Sequence, residues 1–325
     1  MLGADRWGTI KARWGVGRMH YTIDPGLYAL GNPDHESPVV VTANYKMSFD
    51  RLREALPGRN LWILVLDTKG INVWCAAGKG TFGTEELVNR IQTSGLGNVV
   101  SHRVLVLPQL SGPGVAAHQV KKLSGFKVVY GPIRAGDLGT FLDGEMKAAP
   151  DMRRQTFTFL ERAVLIPVEL VSALKAALYI VPVLFFLGGL AGPNGFWIDG
   201  VSRGGAAVLA LLSAIVAGAV LTPLLLPWLP GRAFSLKGLS MGIFMFILFT
   251  VLRGSTPSNW SGRLEWLAWL LLIPAVTAYL AMNFTGCSTY TSLSGVKKET
   301  RMALPIEISA AILGLGFWFF SRFAV

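Results

Sequence analysis

The chain has 325 residues, a formal net charge of +11 and 52% hydrophobic residues, enough for two domains. The basic excess is spread without a dense Lys/Arg cluster, which argues against a nucleic-acid partner. The two cysteines, Cys75 and Cys287, exclude a secreted-type disulfide framework and any four-cysteine iron–sulfur or zinc site built from this chain alone, so redox chemistry would need an outside electron supply.

The first residues, MLGADRWGTIKARWG, have no apolar h-region, so no secretory signal is expected and the N-terminal half is expected in the cytoplasm. Residues 1–36 are rich in Gly, Pro and charge and read as a largely irregular N-terminal arm. Regular structure is expected to begin at PVVVTA (38–43), a β-branched apolar strand, followed by the helical YKMSFDRLREAL (45–56). LWILVLDT (61–68) reads as a second buried strand, TEELVNRIQTSG (84–95) as a helix with acids in its first turn, and RVLVLPQ (103–109) as a third strand. GVAAHQVKKLSG (114–125) is helical and stops at glycine, and FKVVYG (126–131) is strand-like. Apolar strands alternating with helices predict a parallel sheet covered on both faces, a doubly wound (Rossmann-like) α/β domain over 37–145.

A charged linker follows at 146–163, with Arg153, Arg154 and Arg162 where lipid headgroups would lie. From residue 163 onward the chain holds five acidic and ten basic residues, against fourteen and twenty before it, and its apolar runs lengthen. Residues 164–325 read as an all-α membrane domain with spans near 164–190, 205–228, 235–252, 264–284 and 303–322. Glu169 and Lys175 interrupt the first, which is expected to cross from about Ala176. With the N-terminus inside, eight basic residues fall on inward segments (the three linker arginines, Arg232, Lys237, Lys297, Lys298 and Arg301). Four fall outward (Arg203, Arg253, Arg263 and Arg322). Glu169, Lys175, Glu265 and Glu307 lie in or beside spans, most near boundaries where snorkelling explains them.

The segment that carries chemistry is NVWCAAGKG (72–80), directly after the second predicted strand, where open α/β sheets bind ligands. It is not a P-loop, because Val73 stands where the first glycine belongs and Gly80 follows Lys79, and no dinucleotide Gly-x-Gly-x-x-Gly is present. A lone cysteine at a strand end is more often a small buried residue than a ligand. Ala76, Ala77 and Gly78, however, would let a large flat ligand approach the backbone. His20, His35, His102 and His118 are scattered and read as surface or internally satisfied side chains.

NVWCAAGK (72–79) resembles, at all eight positions, the cap-helix signature of the mercury-methylating corrinoid proteins. SPVVVTANYKMSFDRLR (37–53) and NFTGCSTYTSLSGVKKE (283–299) also look like that family, as does the order of a corrinoid domain followed by five spans. The first domain is also similar to the corrinoid domain of the corrinoid iron–sulfur protein large subunit, without that relative's four-cysteine cluster. The resemblance implies an anaerobic corrinoid-dependent methyltransferase that moves a methyl group from a methyl-cobalt(III) corrinoid to Hg(II). It implies a cobalamin-type, base-off cofactor with the Cys75 thiolate as lower axial cobalt ligand, and contacts from Asn72, Val73, Trp74, Cys75, Ala76, Ala77, Gly78 and Lys79. It further implies a ferredoxin-like electron donor with two four-iron clusters, a separate methyl-donor methyltransferase, and a multi-pass place in the cytoplasmic membrane. Cys287 is a candidate mercury relay, beside its plainer reading as a loop cysteine. Two alternatives stay open: a corrinoid methyl carrier of one-carbon metabolism with another acceptor, and a transporter with a ligand-binding soluble domain.

Overall fold

The computed structural model describes residues 3–190, 194–254, 259–287 and 293–324. The chain divides into two compact units, Met1–Thr156 and Phe157–Val325.

The first unit is built on a five-stranded sheet in the order β1-β3-β2-β4-β5, with β1 at Gly26–Leu30, β2 at Val39–Ala43, β3 at Leu61–Leu66, β4 at Val104–Leu107 and β5 at Lys127–Tyr130. β2, β3, β4 and β5 run parallel, in the register Val40 opposite Ile63 and Val106, and Leu105 opposite Val128. Strand alternation sends side chains to two separate cores. Val39, Val41, Leu64, Leu66, Leu105 and Leu107 point to one face, where α4 (Thr84–Thr93) adds Leu87 and Ile91 and α6 (Ala117–Ser124) adds Val120. Val40, Ile63, Val65 and Val106 point to the other, against Phe49 and Leu52 of α2 (Lys46–Ala55) and Phe141 of α7 (Leu138–Asp143). Burial on both faces explains why these strands read as continuous apolar runs.

Two elements depart from the sequence reading. The sheet is mixed rather than wholly parallel, because β1 pairs antiparallel with β3, Gly26 opposite Val65 and Leu30 opposite Leu61. β1 lies in the arm expected to be irregular; as a half-covered edge strand of the sequence GLYAL it shows neither a long apolar run nor clean alternation. The arm also holds α1 (Gly3–Arg13), whose inward residues include only Thr9 and Ala12 as buried positions. Its core-facing side is built from small residues, and the apolar positions at helical spacing, Trp7, Ile10 and Trp14, lie on the exposed side instead.

Among the parallel strands the chain steps from β2 outward to β3, then crosses back over β2 to β4. That reversal opens the crevice at the carboxyl ends of β2 and β4 in which sheets of this topology take ligands. Helix α3 (Val73–Lys79) follows β3 at this edge, and the short α5 (Leu96–Val99) closes the crossover to β4.

The second unit contains five helices long and apolar enough to cross a membrane: Phe159–Gly189, Phe196–Leu225, Phe234–Arg253, Trp260–Thr285 and Ser294–Phe320, with mean hydropathy between 1.7 and 2.4. Each starts before its predicted apolar stretch because polar first turns continue the helix. In the first, Thr158 and Glu161 form a capping box ahead of Phe159. The helices approach closely through small residues: a Cβ on Gly188 would lie 2.4 Å from Gly204 Cα, and one on Gly242 2.5 Å from Pro274 Cα. Large apolar side chains such as Leu178, Val251, Leu252, Ile306 and Ile312 face outward, as a hydrocarbon surround requires. Lys175 is exposed, Glu265 pairs with Arg253 at 2.5 Å, and Glu307 is buried instead of reaching outward.

Candidate functional site

Asn44, the first residue after β2, organises the turn that launches α3. It is buried, and its Oδ1 accepts from the Thr68 amide at 3.1 Å, the Gly70 amide at 3.0 Å and lies 2.9 Å from the Thr68 hydroxyl. The Thr68 hydroxyl is also 2.7 Å from the Ile71 carbonyl, so its single proton has an acceptor on either side. The turn is tight: Lys69 and Gly70 both adopt left-handed backbone, with φ of 57° and 70°. At Gly70 glycine is needed twice, since a Cβ would sit 2.8 Å from Thr22 Cγ2 and 3.1 Å from the Met19 carbonyl.

Asp67 anchors the same turn. Its amide donates to Glu86 Oε1 at 2.8 Å, and its carboxylate accepts from the Lys69 amide at 3.1 Å and pairs with the Lys69 ammonium. Burial pushes the Asp67 carboxyl upward, but the hydrogen bonds and charge of Lys69 outweigh it and hold the group below the ordinary carboxylate range.

Asn72 then caps α3, its Oδ1 accepting from the Cys75 amide at 2.9 Å. Helical spacing divides the motif into two sides. Ala76 and Ala77 turn into the core at 0% and 4% exposure, and Val73 packs against it. Gly78, Lys79 and Gly80 are exposed, while Asn72, Trp74 and Cys75 are half-buried. Cys75 is a free thiol on the third residue of the helix. The helix stops at Gly80, in left-handed backbone with φ of 84°.

The buried side of α3 lies directly on the loop after β4. A Cβ at Gly114 would fall 2.2 Å from the Phe82 carbonyl and 3.0 Å from both Ala77 Cα and its carbonyl oxygen, so only glycine allows this backbone contact. Tyr130 fixes the loop from β5 by donating its hydroxyl to the Val115 carbonyl at 2.6 Å, and Thr84 Oγ1 accepts from the Ala116 amide at 2.9 Å. Cys75 therefore rides on a helix tied to β2 through Asn44 and to the β4 loop through Gly114, on both sides of the crevice.

Residues 17–142 match the family described as CO dehydrogenase/acetyl-CoA synthase delta subunit. The chain is also similar to curated relatives. The chain is 32% identical over 127 residues to the acetyl-CoA decarbonylase/synthase complex subunit gamma of Methanocaldococcus jannaschii, covering 38% of this chain and 26% of that one. It is 33% identical over 126 residues to the same subunit of Methanopyrus kandleri (38% and 27%), and 28% over 123 residues to that of Archaeoglobus fulgidus (37% and 26%). The chain thus spans about a quarter of the length of these relatives. The matched stretch contains the whole sheet, Asn44, Cys75 and Gly114, and ends before the apolar helices begin.

Among the described residues, no three His, Cys, Asp or Glu side chains gather as a metal site. His102 is satisfied internally, with Nε2 3.0 Å from the Ser37 carbonyl and Nδ1 accepting from the Val104 amide at 3.3 Å. Cys287 ends the turn Asn283–Cys287, and its side chain lies outside the described residues. Sequence reasoning did not single out Asn44, Thr68 or Gly114. The Asn44 signal was a polar residue directly after an unbroken apolar strand, where a free amide side chain can serve the neighbouring turn.

Proposed function

We propose that this chain is a membrane-tethered corrinoid protein that delivers a cofactor-borne methyl group to Hg(II), with the Cys75 thiolate as the lower axial ligand of a base-off corrinoid. The observation that carries the proposal is Cys75 itself: a free, half-buried thiol on a short helix fixed from two strands at the carboxyl edge of the sheet. The donor set fits a corrin. Among the described residues no group of three or more His, Cys, Asp or Glu side chains gathers at Cys75, which suits a metal that brings its own ligands in a macrocycle. The exposed Gly78 and Gly80 beside the thiol leave space for a flat ring.

When bound, the corrinoid supplies a cobalt-held methyl group that an anionic sulfur below the metal makes more carbanion-like, suited to an electrophile such as Hg(II). This chain's own contribution is positional. Asn44 and Asn72 hold the start of α3, which carries Cys75, Gly114 seats the helix, and Trp74 and Lys79 precede and follow Cys75 on the same helix. The resemblance to the mercury-methylating corrinoid proteins implies a ferredoxin-like partner with two four-iron clusters as electron donor and a separate methyltransferase as methyl source; two cysteines are too few for a four-cysteine cluster in this chain. The basic-residue asymmetry favours the first unit on the cytoplasmic side of the inner membrane.

A second reading is favoured by the similarity to acetyl-CoA decarbonylase/synthase gamma subunits: a corrinoid methyl carrier of one-carbon metabolism with another acceptor. Both readings share the cofactor and differ in the acceptor. X-ray absorption at the cobalt edge of the reconstituted chain tests the shared part, with a sulfur neighbour expected in the native protein and lost in Cys75→Ala. Supplying the methylated protein with Hg(II)–thiol complexes or with a mercury-free thiol acceptor separates the two, and transfer to the second acceptor alone removes mercury as the substrate.

A further inference from the structure

Helix α1 is built inside out. Its inward side is made of Gly8, Thr9 and Ala12 together with Asp5, whose carboxylate meets the Lys46 ammonium at 2.6 Å. Gly8 lets the helix lie against the Tyr21 ring, which a Cβ there would approach to 2.6 Å, and the Tyr21 hydroxyl donates to the Asp5 carbonyl at 3.1 Å. The outward side carries Trp7, Ile10 and Trp14, spaced three and then four residues apart and 58%, 46% and 49% exposed. Val16 and Met19 extend this apolar surface beyond the helix. Arg6 and Lys11 stand beside it, the Lys11 ammonium 5.8 Å from the Trp7 ring centre. Residues 3–20 hold four basic side chains and one acid, and that acid is already paired with Lys46.

We propose that the outward face of α1 and the following turn form a docking surface for an anionic lipid bilayer. A surface-lying helix with Trp and Ile on its apolar face and Lys and Arg alongside suits the headgroup boundary, where apolar burial and attraction to anionic lipid act together. The chain uses the same pairing where its apolar helices end: the exposed Trp260 has the Arg263 guanidinium 5.2 Å from its ring. The proposal rests on the reading of the five helices as spans, which keep the first unit within reach of a bilayer at all times.

The test uses the full chain in nanodiscs of phosphatidylcholine, with or without one-third phosphatidylglycerol. Cys75 and Cys287 are replaced by serine, and an environment-sensitive fluorophore is placed on Ala4→Cys, an exposed position one turn before Trp7. The expected result is a blue-shifted label, quenched by spin-labelled lipid in the anionic discs and less so in the neutral ones. Replacing Arg6 and Lys11 by glutamine should lower the docked fraction by about fivefold per charge removed. Trp7→Ser with Trp14→Ser should abolish the quenching while the far-ultraviolet spectrum is kept. A label that stays in water in both discs overturns the proposal, as does quenching indifferent to both sets of variants. Shielding that arises only on adding an acidic partner protein likewise overturns it and assigns the face to protein docking. A chain that does not enter the discs at all contradicts the spans themselves, and is recognised by its absence from the disc fraction.

Discussion

Asn44 shows how one side chain can hold the turn that launches the helix bearing Cys75. Its Oδ1 serves two buried amides and a hydroxyl in the turn before α3; Asn44→Ala strands the two amides, while the Thr68 hydroxyl keeps the Ile71 carbonyl, at a cost on the order of 1–3 kcal/mol. Denaturant unfolding should register that loss, and corrinoid affinity should fall with it although Cys75 is intact. Asp67 adds a pH dependence. Its carboxyl titrates below the ordinary range when folded, so its stabilisation is complete above the unfolded value of about 4 and is lost as pH falls through the lower folded value. Asp67→Asn should flatten the acid side of the melting-temperature profile and leave the neutral side parallel to the native curve. The place of Cys75, directly after the second parallel strand, was legible in the sequence. Asn44 was not, because its role depends on a contact between two strand ends 24 residues apart.

At the scale of elements, α3 depends on close backbone approach. Gly114→Ala places a methyl group against the Phe82 carbonyl and Ala77, where main chain and not a flexible side chain must yield. The expected cost is about 1–3 kcal/mol. Limited proteolysis of the Gly114→Ala variant under folding conditions should then cut first near α3, where the native chain resists. The four parallel strands were legible since burial on both faces leaves an uninterrupted apolar signature, and the helices between them carry ordinary amphipathic faces. β1 and α1 were not, one a half-covered edge strand and the other packed through Gly, Thr and Ala. In the second unit, hydropathy located the apolar centres of the five helices but not their polar first turns, which extend each helix toward its N-terminus. Gly242 packs on Pro274 as Gly188 packs on Gly204, so Gly242→Leu should separate the third and fourth helices and lower the chain's thermal stability in detergent.

For the molecule as a whole, the change in composition from residue 163 onward lies past the division between the two compact units, which falls between Thr156 and Phe157. The family model matches residues 17–142, within the first unit, and the match ends before the five apolar helices begin. The charge distribution predicts a definite orientation: in intact cells a membrane-impermeant maleimide should label Arg263→Cys from outside and leave Arg232→Cys unlabelled until the cells are opened. The central claim is that Cys75 is the axial thiolate through which this chain delivers a methyl group to mercury. The most direct measurement loads the purified chain and its Cys75→Ala variant anaerobically with methylated corrinoid, adds thiol-bound Hg(II), and follows methylmercury together with the cobalt spectrum. Methylmercury from the native chain, with the variant slowed by at least about a hundredfold and a shifted cobalt spectrum, is the predicted result. Equal rates from the two proteins, or a native chain that binds no corrinoid, would contradict it.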